Sequence, residues 1–94
     1  MLKTELAQDA ARRFARERLG DCKPDLIRAQ WHGDEGIAAL CAVEAAIAAL
    51  WPSLPAKELV WLTQTAAPDR LHLQAFVDGL LLQTATYELG SGHV

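Results

Sequence analysis

RLHLQAFVDGLLLQTATY, residues Arg70 to Tyr87, folds back on itself at Asp78 and Gly79. An Asp-Gly pair between two alternating runs favours a two-residue type I′ turn, because both central residues need positive φ and the turn's twist suits antiparallel strands. That turn sets Val77 against Leu80, Ala75 against Leu82, Leu73 against Thr84 and Leu71 against Thr86 on one side. Phe76 with Leu81, Gln74 with Gln83, His72 with Ala85 and Arg70 with Tyr87 share the other.

Working back from the hairpin, Glu58 to Thr65 alternates and is rich in Val, Trp and Thr, which reads as a strand; a helix starting at Ser53 is the alternative. A turn over Ala66 to Asp69 joins it to the hairpin as a three-stranded antiparallel meander, 58–65, 70–77 and 80–88. This pairing matches Thr65 with Arg70, Leu62 with Leu73, Trp61 with Gln74 and Leu59 with Phe76. Val60, Leu62, Leu71, Leu73, Ala75, Val77, Leu80 and Leu82 then form the core face. The other face holds Leu59, Trp61, Thr63, His72, Gln74, Phe76, Leu81, Gln83, Ala85 and Tyr87. A wet antiparallel face is mostly polar, whereas this one mixes aromatics with amides, as protein interfaces do. Cover by the first helix and contact with a partner both account for it.

Two helices precede the sheet. Lys3 to Leu19 carries an apolar stripe of Leu6, Ala7, Ala10 and Phe14 and ends at Gly20; its other faces are charged. Asp34 to Trp51 starts at an N-cap Asp34 with Glu35 in the first turn, and Pro52 stops it. Ile37, Leu40, Cys41, Ile47, Ala48 and Trp51 share one face and alanines fill the back, so this helix is buried on more than one side. At 24–31 the signal is divided. Ile27, Ala29 and Trp31 alternate as in a short edge strand, while a helical turn from Pro24 would gather Leu26, Ile27, Gln30 and Trp31.

The fold class is therefore α+β, with two helices on a C-terminal meander in one domain, 1–94, and a mobile tail at 90–94. A chain of 94 residues supports one core. Its net charge of −3 gives no general attraction to nucleic acid or anionic membrane. Arg12, Arg13, Arg16 and Arg18 read as a solvated helix face, with phosphate contact as the lesser alternative. The longest apolar run contains Glu44 and is short for a span, and no leader pattern opens the chain, so the expected location is cytoplasmic.

No catalytic signature emerges. Cys22 and Cys41 read as free thiols, Cys41 as core filler. His32, Asp34 and Glu35 lie at a helix start whose acidic residues would repel an anion, and His32, Cys22, Asp34, His72 and His93 lack metal-ligand spacing. No cofactor or metal is expected. Glu44, projecting from the apolar helix face, requires a cationic partner such as Arg12, Arg13 or Arg28, or an escape to solvent.

The expected function is non-covalent: a small interaction or regulatory domain that dimerises or occludes a protein partner, as an inhibitor or immunity-type protein does. Trp61, Phe76, Leu81 and Tyr87 are its expected anchors, with His72, Gln74 and Gln83 supplying hydrogen bonds. The alternative is a small-molecule site or minimal enzyme using Glu44 and His32 in a pocket between the central helix and the sheet.

Overall fold

A computed structural model describes residues 2–62 and 69–89. The expected end of the second strand at Thr63 to Thr65, most of the turn after it and the tail 90–94 lie outside the described residues. Helix α1, Lys3–Phe14, runs into a π-helical segment, Ala15–Leu19. It is followed by β1, Leu26–His32, then α2, Gly36–Leu50, then β2, Ala56–Leu62, β3, Arg70–Val77, and β4, Leu80–Glu88. The class is α+β as the sequence indicates, and the divided segment at 24–31 is a strand from Leu26, running on to His32.

The sheet differs from the expected meander. Its order is β2-β1-β3-β4, with β1 parallel to β2 and antiparallel to β3. The segment read as an added edge strand is therefore internal, and the expected pairings of Leu62 with Leu73, Trp61 with Gln74 and Leu59 with Phe76 do not form. Two features of the chain account for this. Parallel neighbours need a long crossover, which the 15-residue α2 supplies between β1 and β2. β1 also carries the larger apolar load: Ile27, Ala29 and Trp31 are wholly buried, while β2 brings Lys57 and Glu58 and is exposed over much of its length. An internal position buries the first and leaves the second on an edge.

The turn at Asp78 and Gly79 forms with φ of 53° and 78°, and Val77–Leu80 and Phe76–Leu81 pair as expected. Beyond them a β-bulge leaves Leu82 without a partner on β3, so Ala75 faces Gln83, Leu73 faces Ala85 and Leu71 faces Tyr87. A one-residue shift moves every later side chain of β4 to the opposite face. Gln83, Ala85 and Tyr87 consequently join the Leu71, Leu73 and Ala75 side, and Thr84 and Thr86 join His72 and Gln74. Parallel pairing has the same effect on β2: Leu59 and Trp61 align with the buried Ala29 and Trp31, while Val60 and Leu62 fall on the other side.

Both helices lie on the Leu71 side. They pack on each other, α2 on β1 and β2, and α1 on β3, with the π-helical segment reaching β4. The wider turn of that segment, closed by Gly20 N–H to Ala15 O at 2.9 Å, brings Leu19 round to the buried side five residues after Phe14. In α2 the buried positions are Gly36, Ala39, Leu40, Val43, Ala46 and Ile47. Leu40 and Ile47 of the expected inner face are thus buried, but the face is rotated toward Ala39, Val43 and Ala46: Ile37 and Cys41 are exposed, and Cys41 is not core filler. Asp34 does not cap α2 through its side chain; Glu35 precedes the helix in the left-handed region at φ 57°. The Trp31 indole instead donates to the Asp34 carbonyl at 3.0 Å.

Candidate functional site

No described element covers the sheet face turned away from the helices. The pairing lays its side chains out in four rows across β2, β1, β3 and β4. Nearest the hairpin turn stand Ala56, Leu26, Phe76 and Leu81, then Glu58, Arg28, Gln74 and Thr84. Val60, Gln30, His72 and Thr86 follow, and Leu62, His32, Arg70 and Glu88 close the sheet. The face is thus apolar at the hairpin end, crossed by a polar band, and rich in imidazole and guanidinium at the far end.

Local contacts hold this surface in shape. The Arg28 guanidinium lies 5.2 Å from the Phe76 ring centroid and donates from Nε to Glu58 Oε2 at 3.1 Å, so one side chain ties the apolar row to the polar band. Asp25 fixes the turn by accepting the Asp78 N–H at 2.8 Å. His72 is set between two hydroxyls, with Nδ1 2.7 Å from Thr86 Oγ1 and Nε2 3.4 Å from Thr84 Oγ1. Burial, and secondarily the neighbouring His32, lowers the His72 pKa from its ordinary value. Gln30, His32, Arg70, His72 and Thr86 line a shallow depression. The shielded Nδ1 of His32 has no hydrogen-bond partner among the described residues.

Of the expected interface residues, Phe76, Leu81, His72 and Gln74 share this face. Trp61, Gln83 and Tyr87 are on the helix side. Trp61 remains 43% exposed, yet its indole donates to the Gly33 carbonyl at 2.9 Å and its ring occupies the space a Cβ on Gly36 would need. Tyr87 packs at the core margin with the Arg13 guanidinium 5.5 Å from its ring centroid. Burial, followed by Glu17, raises its pKa, and the neighbouring arginines oppose that shift. Arg28, Gln30, Leu26, Val60 and Leu62 belong to the open face without having been singled out. For the first three the signal was the even positions of 26–32, legible only once that segment is a strand inside the sheet; Val60 and Leu62, expected on the core face, are brought here by the parallel pairing of β2.

The residues of the ligand alternative are separated by the sheet. His32 is on the open face, whereas Glu44 is on α2, half-exposed and 3.5 Å from Lys57 Nζ, a partner not among the expected arginines. Between α2 and the sheet, Ala39, Val43 and Ile47 are buried in a continuous core with Ile27 and Trp31. The N-terminal arginines diverge: Arg13 pairs with Glu17 at 3.8 Å, while Arg12 and Arg16 border a depression floored by Leu50 and Trp51. Among the described residues no three or more His, Cys, Asp or Glu gather as metal ligands, both cysteines are free and exposed, and no helix is long and apolar enough to cross a membrane.

No family model, curated protein or solved structure matches the chain.

Proposed function

We propose that this chain is a small interaction or regulatory domain that binds a protein partner non-covalently through the open sheet face and acts by occluding it. One observation carries this reading: both helices stack on one side of the sheet, and the face left without a described cover is apolar at one end and hydrogen-bonding at the other. Phe76 and Leu81, with Leu26 beside them, are the anchors; His72 and Gln74 supply directional contacts. Truncating an aromatic anchor of this kind costs about 2 kcal/mol or more of binding. Phe76→Glu is therefore expected to abolish capture of the specific partner from the native host while leaving the circular dichroism spectrum unchanged. Ala45→Glu, on the exposed side of α2, is expected to leave capture intact. Unchanged capture by the Phe76 variant would contradict the assignment.

The polar depression favours a second reading, in which a small hydrogen-bonding ligand is taken at Gln30, His32, Arg70, His72 and Thr86. A metabolite screen by thermal shift discriminates. On this reading His72→Ala removes the stabilisation and Glu44→Gln does not; the reverse pattern would return the site to α2.

A further inference from the structure

β4 is the exposed edge of the sheet, and we propose that it pairs with β4 of a second copy of this chain, antiparallel about a two-fold axis, to make one continuous eight-stranded sheet. The inference concerns the edge rather than the open face and stands independently of the function proposed above.

The two edges of this sheet differ in how they are protected. Natural edges are blunted by charge, proline or a covering element, since unpaired N–H and C=O groups template further strands. β2 follows Pro55 and carries Lys57 and Glu58. β4 runs nine residues with no lysine and no proline, and no charge before Glu88; no described strand pairs beyond it, and the described contact it receives from a helical segment comes from Ala15–Leu19, whose neighbouring α1 packs on the Leu71 side. Its first three residues are leucines, 74%, 51% and 39% exposed.

The backbone register shows which groups are on offer. Leu89 N–H donates to the Asp69 carbonyl at 2.8 Å, so in the antiparallel alternation Gln83, Ala85 and Tyr87 turn their backbone groups toward β3. Thr84, Thr86 and Glu88 turn theirs outward. Beyond the bulge at Leu82 the ladder is regular, and this regular part supplies the pairing edge.

A second copy fits such an edge because an antiparallel strand is its own complement: each outward donor meets the same strand's acceptor across a two-fold axis. Charge agrees. With the axis beside Thr86, the single charged side chain of β4, Glu88, lies opposite the partner's Thr84; with the axis beside Ala85 or Thr84 it lies beyond the regular ladder, level with the partner's Leu82 or the partner's Leu80, and in no case do like charges meet. The open faces of the two copies then run on as one surface, with all four helices on the other side.

The test is solution mass across a concentration series, by sedimentation or light scattering. Twice the monomer mass is expected for the unaltered chain. Thr84→Pro removes an outward N–H and no backbone bond to β3, at the cost of the long 3.4 Å hydroxyl contact to His72, so it is expected to weaken dimerisation at least tenfold while the spectrum stays that of the folded domain. Should that variant lose its fold, Thr84→Lys with Thr86→Lys sets like charges across the axis and is expected to give a folded monomer. A monomer at every concentration, or a dimer that survives both changes with the fold intact, overturns the proposal. So does a dimer that Phe76→Glu alone dissociates, which would place the contact on the face.

Discussion

Asp69, at the head of β3, has a partner on each of three other segments. Its Oδ2 receives the Lys3 ammonium at 2.6 Å, its Oδ1 accepts the Asp34 N–H at 3.0 Å and its carbonyl accepts from Leu89. The start of α1, the β1–α2 loop and the end of β4 are joined through this nearly buried residue, and position 33 requires glycine both for its φ of 134° and because a Cβ there would run into the Asp69 carboxylate. Removing one side of a buried charged hydrogen bond costs about 1–3 kcal/mol. Asp69→Ala should lower the urea midpoint accordingly, and a midpoint unchanged from the parent would contradict the role. Two pH effects follow. Asp69 raises the Lys3 pKa chiefly through their hydrogen bond, so that stabilisation is complete below 10.5 and is lost as pH rises through the raised folded value. His72 has the opposite sense. Its folded pKa lies below 6.5, so the unfolded chain takes the proton first and stability falls as pH drops through 6.5 toward the folded value. The midpoint is expected to decline over that window in the parent and to be flatter in His72→Gln. At this scale the sequence says little: Asp69 reads as part of a turn, and nothing near it announces a lysine at the other end of the chain.

Among the elements, the hairpin shows both how far local signals reach and where they stop. Asp78-Gly79 specifies its turn because few residue pairs adopt two successive positive φ values. Three successive leucines after it satisfy alternation in either phase, so the bulge at Leu82 leaves no trace in the pattern and the faces of β4 beyond it are misassigned. A deletion pair checks the structural account. Deleting Leu82 preserves every pairing from Gln83 onward and should change the melting temperature little. Deleting Thr86 either throws Tyr87 onto the open face or, with the bulge given up, turns Thr84 inward and Ala85 outward, and should lower it more; a sharp loss on deleting Leu82 would deny the bulge. β1 was obscured for another reason. Sequence neighbours usually pair, which favoured joining 58–65 to 70–77, whereas a long α2 between β1 and β2 permits the parallel crossover that places β1 inside.

For the molecule as a whole, the consequence is an uneven division of labour between the two sides of one sheet. The helix side takes Trp31, Phe14, Ile27, Ile47, Leu71, Leu73 and Val43 into the core. The other side keeps Phe76, Leu81, His72 and Gln74 from the surface anticipated in the sequence and releases Trp61, Gln83 and Tyr87 to the helices. That some second face would be chemically mixed was legible from the alternation alone. Its membership depended on the strand order and the bulge, which arise from long-range packing. The most direct test introduces a charge at the centre of the apolar row and reads fold and binding together. Phe76→Glu is predicted to melt within a few degrees of the parent and to lose its partner in capture from the native host. A variant that unfolds would show the face to be covered, and one that melts normally and still captures the partner would show that binding lies elsewhere.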